Sequence, residues 1–225
     1  MKVPTNNDIL RVGTNFDFDA YRQYYSSLSF PERQRISEAL DQIWPLQARF
    51  NLLLLDRIFS LIEPDIPGAI KILELGCHEG HLAKEILQRV PGFSVQSWVG
   101  YDLNARALSR SASIVNDERF SSFALGDWFY NIELPEFNIF LSTHTLEHMV
   151  LHEATKIFDH ICKKALYLIF EIPIEENGQA WRGYKGSHVL EAGRKIIRKL
   201  LSDRGYTCFY EDGPSWTTGW KNINL

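Results

Sequence analysis

Residues 70–83 have the sequence IKILELGCHEGHLA, an apolar strand that leads into a glycine turn and then into a helix. The isoleucines and leucines of this run predict a strand that is buried on both faces, as in a parallel sheet. Gly76 and Gly80 permit the tight turn and the close backbone approach that a side chain would block. A strand, a glycine turn and a helix in this order are typical of nucleotide sites in α/β proteins.

The spacing of the glycines separates the cofactors that use such a turn. A dinucleotide-binding turn has the pattern G-x-G-x-x-G, but His78 stands at the second glycine of that pattern. A phosphate-binding P-loop requires Gly-Lys followed by Ser or Thr, and this turn has no such sequence. The turn therefore favours a cofactor that contains a nucleoside but no phosphate.

An acidic residue follows at the distance expected for a ribose ligand. About twenty residues past the turn, the strand SWVGYD ends at Asp102 and is followed by Leu103. A carboxylate at this place would accept hydrogen bonds from a ribose diol. We therefore predict that Asp102 binds the ribose of the cofactor, with Leu103 in the same binding loop.

The turn resembles the first motif of class I S-adenosylmethionine-dependent methyltransferases, which usually has the pattern E/D-x-G-x-G-x-G. Glu74, Gly76 and Gly80 match this motif, and His78 departs from it. The resemblance extends through the order of elements over residues 68–212. It implies an α/β, Rossmann-like fold with a mainly parallel seven-stranded sheet flanked by helices, an antiparallel final strand and a helical N-terminal cap.

The segment after the predicted fourth strand adds to the resemblance. Leu146, Glu147 and His148 are similar to the LEH segment that follows strand four in many small-molecule methyltransferases. The Asn/Asp-Pro-Pro-Tyr segment, which methylation of amide or adenine nitrogens often uses there, is replaced by Ser-Thr-His-Thr at residues 142–145. The resemblance therefore implies a small-molecule type of enzyme with S-adenosyl-L-methionine as its cofactor.

The resemblance also implies which residues hold the cofactor. Glu74 would orient its amino-acid moiety or the glycine loop, Asp127 would take the adenine amino group, and Trp128 would lie beside the base. The other residues implied to line the cofactor site are Gly76, Cys77, Gly80 and Thr143. Cys77 is expected to be a small packing residue of the turn rather than a nucleophile, since no base adjoins it in sequence.

Length and composition fit one such domain. With 225 residues, 45% hydrophobic and 23% charged, the chain can bury a full core. We expect an N-terminal helical extension over residues 1–67 and the S-adenosylmethionine-binding domain over residues 68–225. The net charge of -4 gives no overall attraction to nucleic acid. The expected partner is a small-molecule substrate, and a homodimer is left open.

The sequence also predicts a cytoplasmic protein. Its three cysteines lie far apart, and an odd number argues against a disulfide framework. The first residues lack the apolar core of a signal peptide, and the richest apolar run, residues 50–62, is interrupted by Asp56 and Arg57. We therefore expect no membrane span.

Methyl transfer from a sulfonium mainly requires an acceptor aligned with the departing sulfur and the exclusion of water. The expected acceptor is a hydroxyl of a sugar or secondary metabolite, which needs a base to take its proton. Histidine has the ordinary pKa nearest to neutral pH. The candidate bases are His144, the first choice because it follows strand four, His148, and His188, which follows a segment able to fold across the site.

Each of these histidines has a second interpretation. His144 could position the substrate, His148 could brace the following helix, and His188 could be a solvated residue at a helix N-terminus. No metal is expected. A metal stripe of His144, His148 and His152 would require the whole stretch to be helical, because these residues are spaced by four.

Three other functions stay open from the sequence. The nearest is a protein or RNA methyltransferase. The next is a catalytically silent cofactor-binding or scaffold protein, which His78 in the glycine motif favours. The third is a nicotinamide oxidoreductase.

Overall fold

The computed structural model describes residue 32 and residues 52–89, 94–126, 129, 132–172, 190, 193–212 and 216–225. The predicted N-terminal cap up to residue 51, apart from residue 32, lies outside the described residues. Three predicted site residues, Asp127, Trp128 and His188, lie outside them as well. The helix α1 is the part of the predicted N-terminal extension that can be placed, and it spans Leu52–Ile62.

Strands and helices alternate along most of the described chain. The strands are β1 (Ile70–Leu75), β2 (Val95–Asp102), β3 (Phe120–Ala124), β4 (Ile139–Thr143), β5 (Tyr167–Glu171), β6 (Tyr206–Asp212) and β7 (Thr217–Asn222). The helices after α1 are α2 (His81–Arg89), α3 (Ala105–Val115), α4 (Leu151–Ile161) and α5 (Arg194–Ser202). Short 3-10 helices cover Glu63–Asp65 and Leu146–His148. None of the described helices is long and apolar enough to cross a membrane.

The seven strands form one sheet in the order β3-β2-β1-β4-β5-β7-β6. Four neighbouring pairs are parallel, and both pairs that include β7 are antiparallel. The sheet is therefore mixed, which corrects the expectation of a mainly parallel sheet. The reason is local: β7 follows β6 after a short connection, and a short connection joins only antiparallel neighbours. The predicted antiparallel final strand is present as β7, which lies between β5 and β6.

Helices cover both faces of the sheet. In α1, the fully buried residues recur at helical spacing and form one face, consisting of Leu55, Ile58, Phe59 and Ile62. This face and α2 pack against one side of the sheet, where they contact a cluster that includes Ile72 of β1 and Trp98 of β2. Helices α4 and α5 pack against the other side. Each fully buried side chain of this size stabilises the fold by about 1.5–3 kcal/mol, so α1 belongs to the core of the sheet.

The strand order reverses between β1 and β4. From β1 the chain proceeds to β2 and β3 in one direction, and from β4 it proceeds to β5 in the other. Ligands of open α/β sheets bind in the crevice at the carboxyl ends of the strands where the order reverses. In this protein, that crevice lies between the glycine turn after β1 and the loop after β4.

Candidate functional site

The turn after β1 requires glycine at two positions for steric reasons. Gly76 has a φ of +86°, and a Cβ there would lie 1.7 Å from Oγ1 of Thr145, in the loop after β4. Gly80 has a φ of +77°, and a Cβ there would lie 2.5 Å from Val115 of α3. The loops after β1 and β4 are therefore in direct contact, with Thr145 filling the space that a side chain at Gly76 would need.

The backbone N–H groups of this turn donate within the protein. Because their acceptors are protein atoms, these N–H groups are not available to bind a phosphate group. The bonds run from Gly76 N and Cys77 N to Tyr101 O (2.7 and 3.2 Å), from His78 N to Asp102 Oδ2 (2.8 Å), and from Gly80 N to Cys77 O (2.7 Å).

The carboxylate of Asp102 is fixed at the carboxyl end of β2. Oδ2 accepts the N–H of His78 at 2.8 Å, and Oδ1 accepts the N–H of Asn104 at 2.7 Å. Asn104 also caps α3, since its Oδ1 accepts the N–H of Ala107 at 2.9 Å. A carboxylate has about four acceptor sites, so two backbone bonds leave capacity for a diol. Leu103, which completes this loop, is half-buried.

Cys77 is a packing residue of the turn. It is buried, and a Cβ built on Gly100 of β2 would lie 2.6 Å from its Sγ. Burial raises the pKa of the thiol well above its usual value, so the thiolate form is disfavoured. This position agrees with the packing role predicted for the residue. Its backbone N–H donates to the carbonyl of Tyr101.

Glu74 is buried within the sheet rather than presented at the turn surface. Its side chain is 1% exposed, and its Oε2 accepts the indole N–H of Trp98 at 2.8 Å. Burial raises the pKa of this carboxyl to about 8, although the Trp98 hydrogen bond partly opposes the shift. Glu74 therefore carries its proton at neutral pH. Its predicted contact with the amino-acid moiety of the cofactor stays a prediction.

On the other side of the crevice, His144 lies between two buried carboxylates. Its Nε2 is 3.3 Å from Oε1 of Glu171, and its Nδ1 is 3.7 Å from Oε1 of Glu147. The backbone N–H of His144 donates to the carbonyl of Glu171 at 2.9 Å, and its φ is +50°. The side chain is 42% exposed, whereas those of Glu147 and Glu171 are 4% and 5% exposed. These three residues form the imidazole–carboxylate cluster.

This arrangement does not suit His144 as a base. Burial by itself would lower the pKa of the ring, but the hydrogen bonds and charges of Glu147 and Glu171 outweigh burial and raise it to about 10. The ring is then an imidazolium at neutral pH, and both of its nitrogens face carboxylates. A general base needs an unprotonated nitrogen that faces the acceptor.

The helical stretch that a metal stripe of histidines would require does not form. His148 ends the 3-10 helix, and Val150 is extended, with φ −71° and ψ 154°, before α4 begins. His144, His148 and His152 therefore do not lie on one helix. Within the described ranges, no group of three His, Cys, Asp or Glu residues could hold a metal ion. Nε2 of His148 lies 3.9 Å from Oε1 of Glu147.

Thr143, predicted to touch the cofactor, is buried at the end of β4. Its carbonyl accepts the hydroxyl of Thr145 at 3.1 Å, which fixes the loop that contacts Gly76. The structure thus brings the predicted residues of β1, β2 and β4 to one edge of the sheet.

From the sequence, Glu171 has no predicted role, and Glu147 is identified only as part of the LEH segment. The available signal is a charged residue that ends an otherwise apolar strand, as Glu171 does in the sequence YLIFE of β5. Asp102 likewise ends β2, and Glu74 is the residue before the last in β1. In those strands a recognisable motif draws attention to the charged residue, and in β5 no motif does.

Comparison with known proteins identifies the fold. No family model matches the sequence, and no curated protein sequence matches it. Among solved structures, the N-methyltransferase NodS from Bradyrhizobium japonicum, in complex with S-adenosyl-L-homocysteine, is similar with a TM-score of 0.61 and 16% identity, over 87% of this chain and 100% of that one. Magnesium protoporphyrin IX methyltransferase from Synechocystis with bound S-adenosyl-L-homocysteine has a TM-score of 0.53 and 15% identity, over 91% and 98%.

A third solved structure is an S-adenosylmethionine-dependent methyltransferase from Mesorhizobium loti, with a TM-score of 0.53 and 13% identity, over 72% of this chain and 96% of that one. At these identities the similarity concerns the fold. The chain therefore has the fold of S-adenosylmethionine-dependent methyltransferases.

Proposed function

We propose that the protein binds S-adenosyl-L-methionine and transfers its methyl group to the hydroxyl of a small polar molecule. The observation that carries the proposal is the Asp102 carboxylate, held by two backbone N–H groups beside the glycine turn. It lies at the edge of a sheet whose fold is that of S-adenosylmethionine-dependent methyltransferases.

The residues present fit this cofactor better than a nucleotide with phosphates. The turn N–H groups of Gly76, Cys77, His78 and Gly80 already donate to protein acceptors, so the turn is not an anion cradle. S-adenosyl-L-methionine has ribose hydroxyls but no phosphate, and it supplies an activated methyl group when bound. Asp102 would hold the ribose, and the glycine turn would lie along the cofactor. The adenine contacts of Asp127 and Trp128 are part of the proposal.

The chain itself must orient the acceptor, exclude water and receive a proton. The contact between Thr145 and Gly76 places the acceptor side of the crevice against the cofactor side. Both ring nitrogens of His144 face carboxylates, so we assign the proton of the acceptor to another group. The remaining candidates are the carboxylates of the cluster, His148 and His188.

A catalytically silent cofactor-binding protein is a second candidate, and one observation favours it. His78 occupies a glycine position of the motif and has a φ of +48°, a conformation that L residues rarely adopt. Cofactor binding without transfer to any acceptor would support this candidate. Protein or RNA methylation is a third outcome that an acceptor screen can detect.

The test combines binding with turnover. Calorimetry with S-adenosyl-L-homocysteine should give a micromolar affinity for the wild type. Asp102→Ala removes the partner of buried donors, which costs on the order of 1 to 3 kcal/mol, so its affinity should fall about 5- to 150-fold. The control Asp65→Asn changes an exposed carboxylate that pairs with Lys221 and should bind like the wild type.

Labelled methyl transfer to separated small-molecule, protein and RNA fractions of a cell extract identifies the acceptor class. Label in the small-molecule fraction is the expected result. Unchanged affinity in Asp102→Ala would remove this residue from the cofactor site, and label confined to protein or RNA would refute the small-molecule acceptor.

A further inference from the structure

We propose that Glu171 is the residue that contacts the acceptor and takes its proton, and that His144 positions Glu171 for this task. The inference rests on the proposed methyl transfer to a hydroxyl. It exchanges the roles that the sequence predicted, since His144 was the candidate base and Glu171 had no role.

Glu171 lies at the edge of the sheet where an acceptor would bind. It is the last residue of β5 and pairs in register with Thr143, the last residue of β4. β4 is in turn the neighbour of β1, which leads into the glycine turn. Glu171 therefore lies at the same carboxyl edge as the predicted cofactor site, on the β4 side of the crevice. An acceptor has to be held on this side if the cofactor occupies the β1–β2 side.

The two oxygens of the Glu171 carboxylate have different surroundings. Oε1 faces the ring of His144, 3.3 Å from its Nε2. Oε2 is fully buried and has no hydrogen-bond donor among the residues that the structure describes. A buried carboxylate oxygen without a donor is costly, because it has lost water and gained nothing in return. The hydroxyl of an acceptor would supply the missing donor.

His144 has the geometry of a support for this carboxylate. Both of its ring nitrogens face carboxylates, and its backbone N–H donates to the carbonyl of the same Glu171. Its left-handed backbone conformation, at φ +50°, is held in place by these contacts. The ring and the main chain of His144 thus both fix the end of β5. The ring itself offers no nitrogen to an acceptor.

The proposed step conserves atoms and charge. The acceptor oxygen forms a bond to the methyl carbon, the carbon–sulfur bond breaks, and its electron pair stays on sulfur. The proton of the acceptor hydroxyl passes to Oε2 of Glu171 and later leaves to solvent. His144 stays protonated throughout and balances the carboxylate before transfer. Shielding of Oε2 from bulk water suits this reaction, since water would compete with the acceptor.

The main experiment compares Glu171→Gln with Glu136→Gln, which changes a carboxylate that is 84% exposed. Turnover is measured with labelled S-adenosyl-L-methionine and the small-molecule extract fraction that the wild type labels. Loss of a general base lowers turnover about 100- to 10,000-fold, and we expect Glu171→Gln to lie in this range. S-adenosyl-L-homocysteine affinity should stay within about two-fold, because Glu171 is assigned to the acceptor. Glu136→Gln should match the wild type in both measurements.

A readout without turnover tests the pairing directly. In an NMR titration of ring-labelled histidine, the pKa of His144 should fall in Glu171→Gln, because one of the two groups that raise it is gone. It should not change in Glu136→Gln. An unchanged His144 titration in Glu171→Gln would overturn the positioning role.

The remaining outcomes separate this inference from the proposed function. Turnover within about three-fold of wild type in Glu171→Gln would overturn the role of Glu171 and leave methyl transfer standing. A wild type that binds S-adenosyl-L-homocysteine but labels no fraction would refute methyl transfer and this role together. If Glu171→Gln is misfolded by circular dichroism, Glu171→Ala is assayed with added formate. Restored turnover supports the carboxylate role, and no restoration overturns it.

Discussion

The two sides of the crevice are built from different kinds of contact. On the β1–β2 side, backbone N–H groups of the turn donate to Tyr101 and Asp102, and the shape depends on glycines. On the β4–β5 side, the shape depends on side chains, with the ring of His144 held between two glutamates. The first side joins the ends of β1 and β2, and a motif marks its residues in the sequence. The second is fixed by pairing of strand ends.

Two buried glutamates show the electrostatic side of this difference. Glu74 on the β1–β2 side accepts a bond from the neutral indole of Trp98, and burial raises its pKa to about 8. Glu171 on the β4–β5 side faces His144, whose pKa is raised to about 10. One carboxyl is therefore kept neutral at pH 7, whereas the other faces a cation. The two sides of the crevice therefore place a buried glutamate in different surroundings, a neutral indole on one side and the His144 ring on the other.

The largest effect is expected from Gly76→Val, which disrupts the contact between the loops after β1 and β4. A Cβ at Gly76 would meet the side chain of Thr145 rather than the cofactor alone, because Oγ1 lies only 1.7 Å away. We expect S-adenosyl-L-homocysteine binding to weaken more than about 100-fold, since the loop after β4 must move and the turn must adopt a strained φ. Calorimetry measures the affinity, and circular dichroism checks the fold.

Gly68→Val is the matched control for this change. Gly68 has nearly the same φ, +89°, but a Cβ there would meet nothing within 4 Å. Both variants therefore carry the strain of a left-handed conformation, about 1–2 kcal/mol, and only Gly76→Val carries the clash. If Gly68→Val lost binding to the same degree, the contact between the two sides would not be the cause.

The β1–β2 side could be predicted from the sequence because its signals are local. The apolar strand, the glycine turn, the following helix and Asp102 all occur in the predicted order. The start of α3 is also fixed by a local contact, since Asn104 caps that helix. Local signals also predict β4 and β5, but they do not predict the contact between His144 and Glu171 at the ends of these strands.

The β4–β5 side could not be predicted because its contacts depend on register. His144 and Glu171 meet only because Thr143 pairs with Glu171 in the parallel ladder. A one-residue slip would turn Glu171 to the other face of the sheet. No spacing rule in a single sequence fixes that register. The positive φ of His144 could not be predicted either, because only a small share of histidines adopt a left-handed conformation.

The next effect concerns the neutral glutamate of the β1–β2 side. Glu74 holds its proton up to a pKa of about 8 in the folded protein, against 4.5 as its ordinary value. Because the folded state binds this proton more tightly, its stabilising effect is complete below pH 4.5 and is lost as pH rises to about 8. Glu74→Gln keeps an oxygen for the Trp98 N–H but has no proton to lose. Above pH 8 we expect its free energy of unfolding to exceed that of the wild type by on the order of 5 kcal/mol, the full difference between the two pKa values.

Chemical denaturation of Glu74→Gln and wild type between pH 5 and 9 checks this expectation. The difference in unfolding free energy should shrink as the pH falls toward 5. The exposed Glu118→Gln serves as the control and should follow the wild type. A difference that does not change with pH would mean that Glu74 is ionised in the folded protein, and the contrast with Glu171 would then fail.

The smallest effect is expected from His78→Gly, which restores the glycine of the methyltransferase motif. His78 has a φ of +48°, so glycine removes a strain of about 1–2 kcal/mol, while the greater freedom of glycine in the unfolded chain takes back about 0.4–1 kcal/mol. The unfolding free energy should therefore rise by about 0.5–1 kcal/mol, with S-adenosyl-L-homocysteine affinity within two-fold because the N–H to Asp102 is kept. Asn116→Gly is the control: Asn116 has a φ of +49° at the end of α3, but asparagine tolerates this conformation, so little stability should be gained. A ten-fold loss of affinity in His78→Gly would show that the imidazole contacts the cofactor, and the departure from the motif would then serve binding.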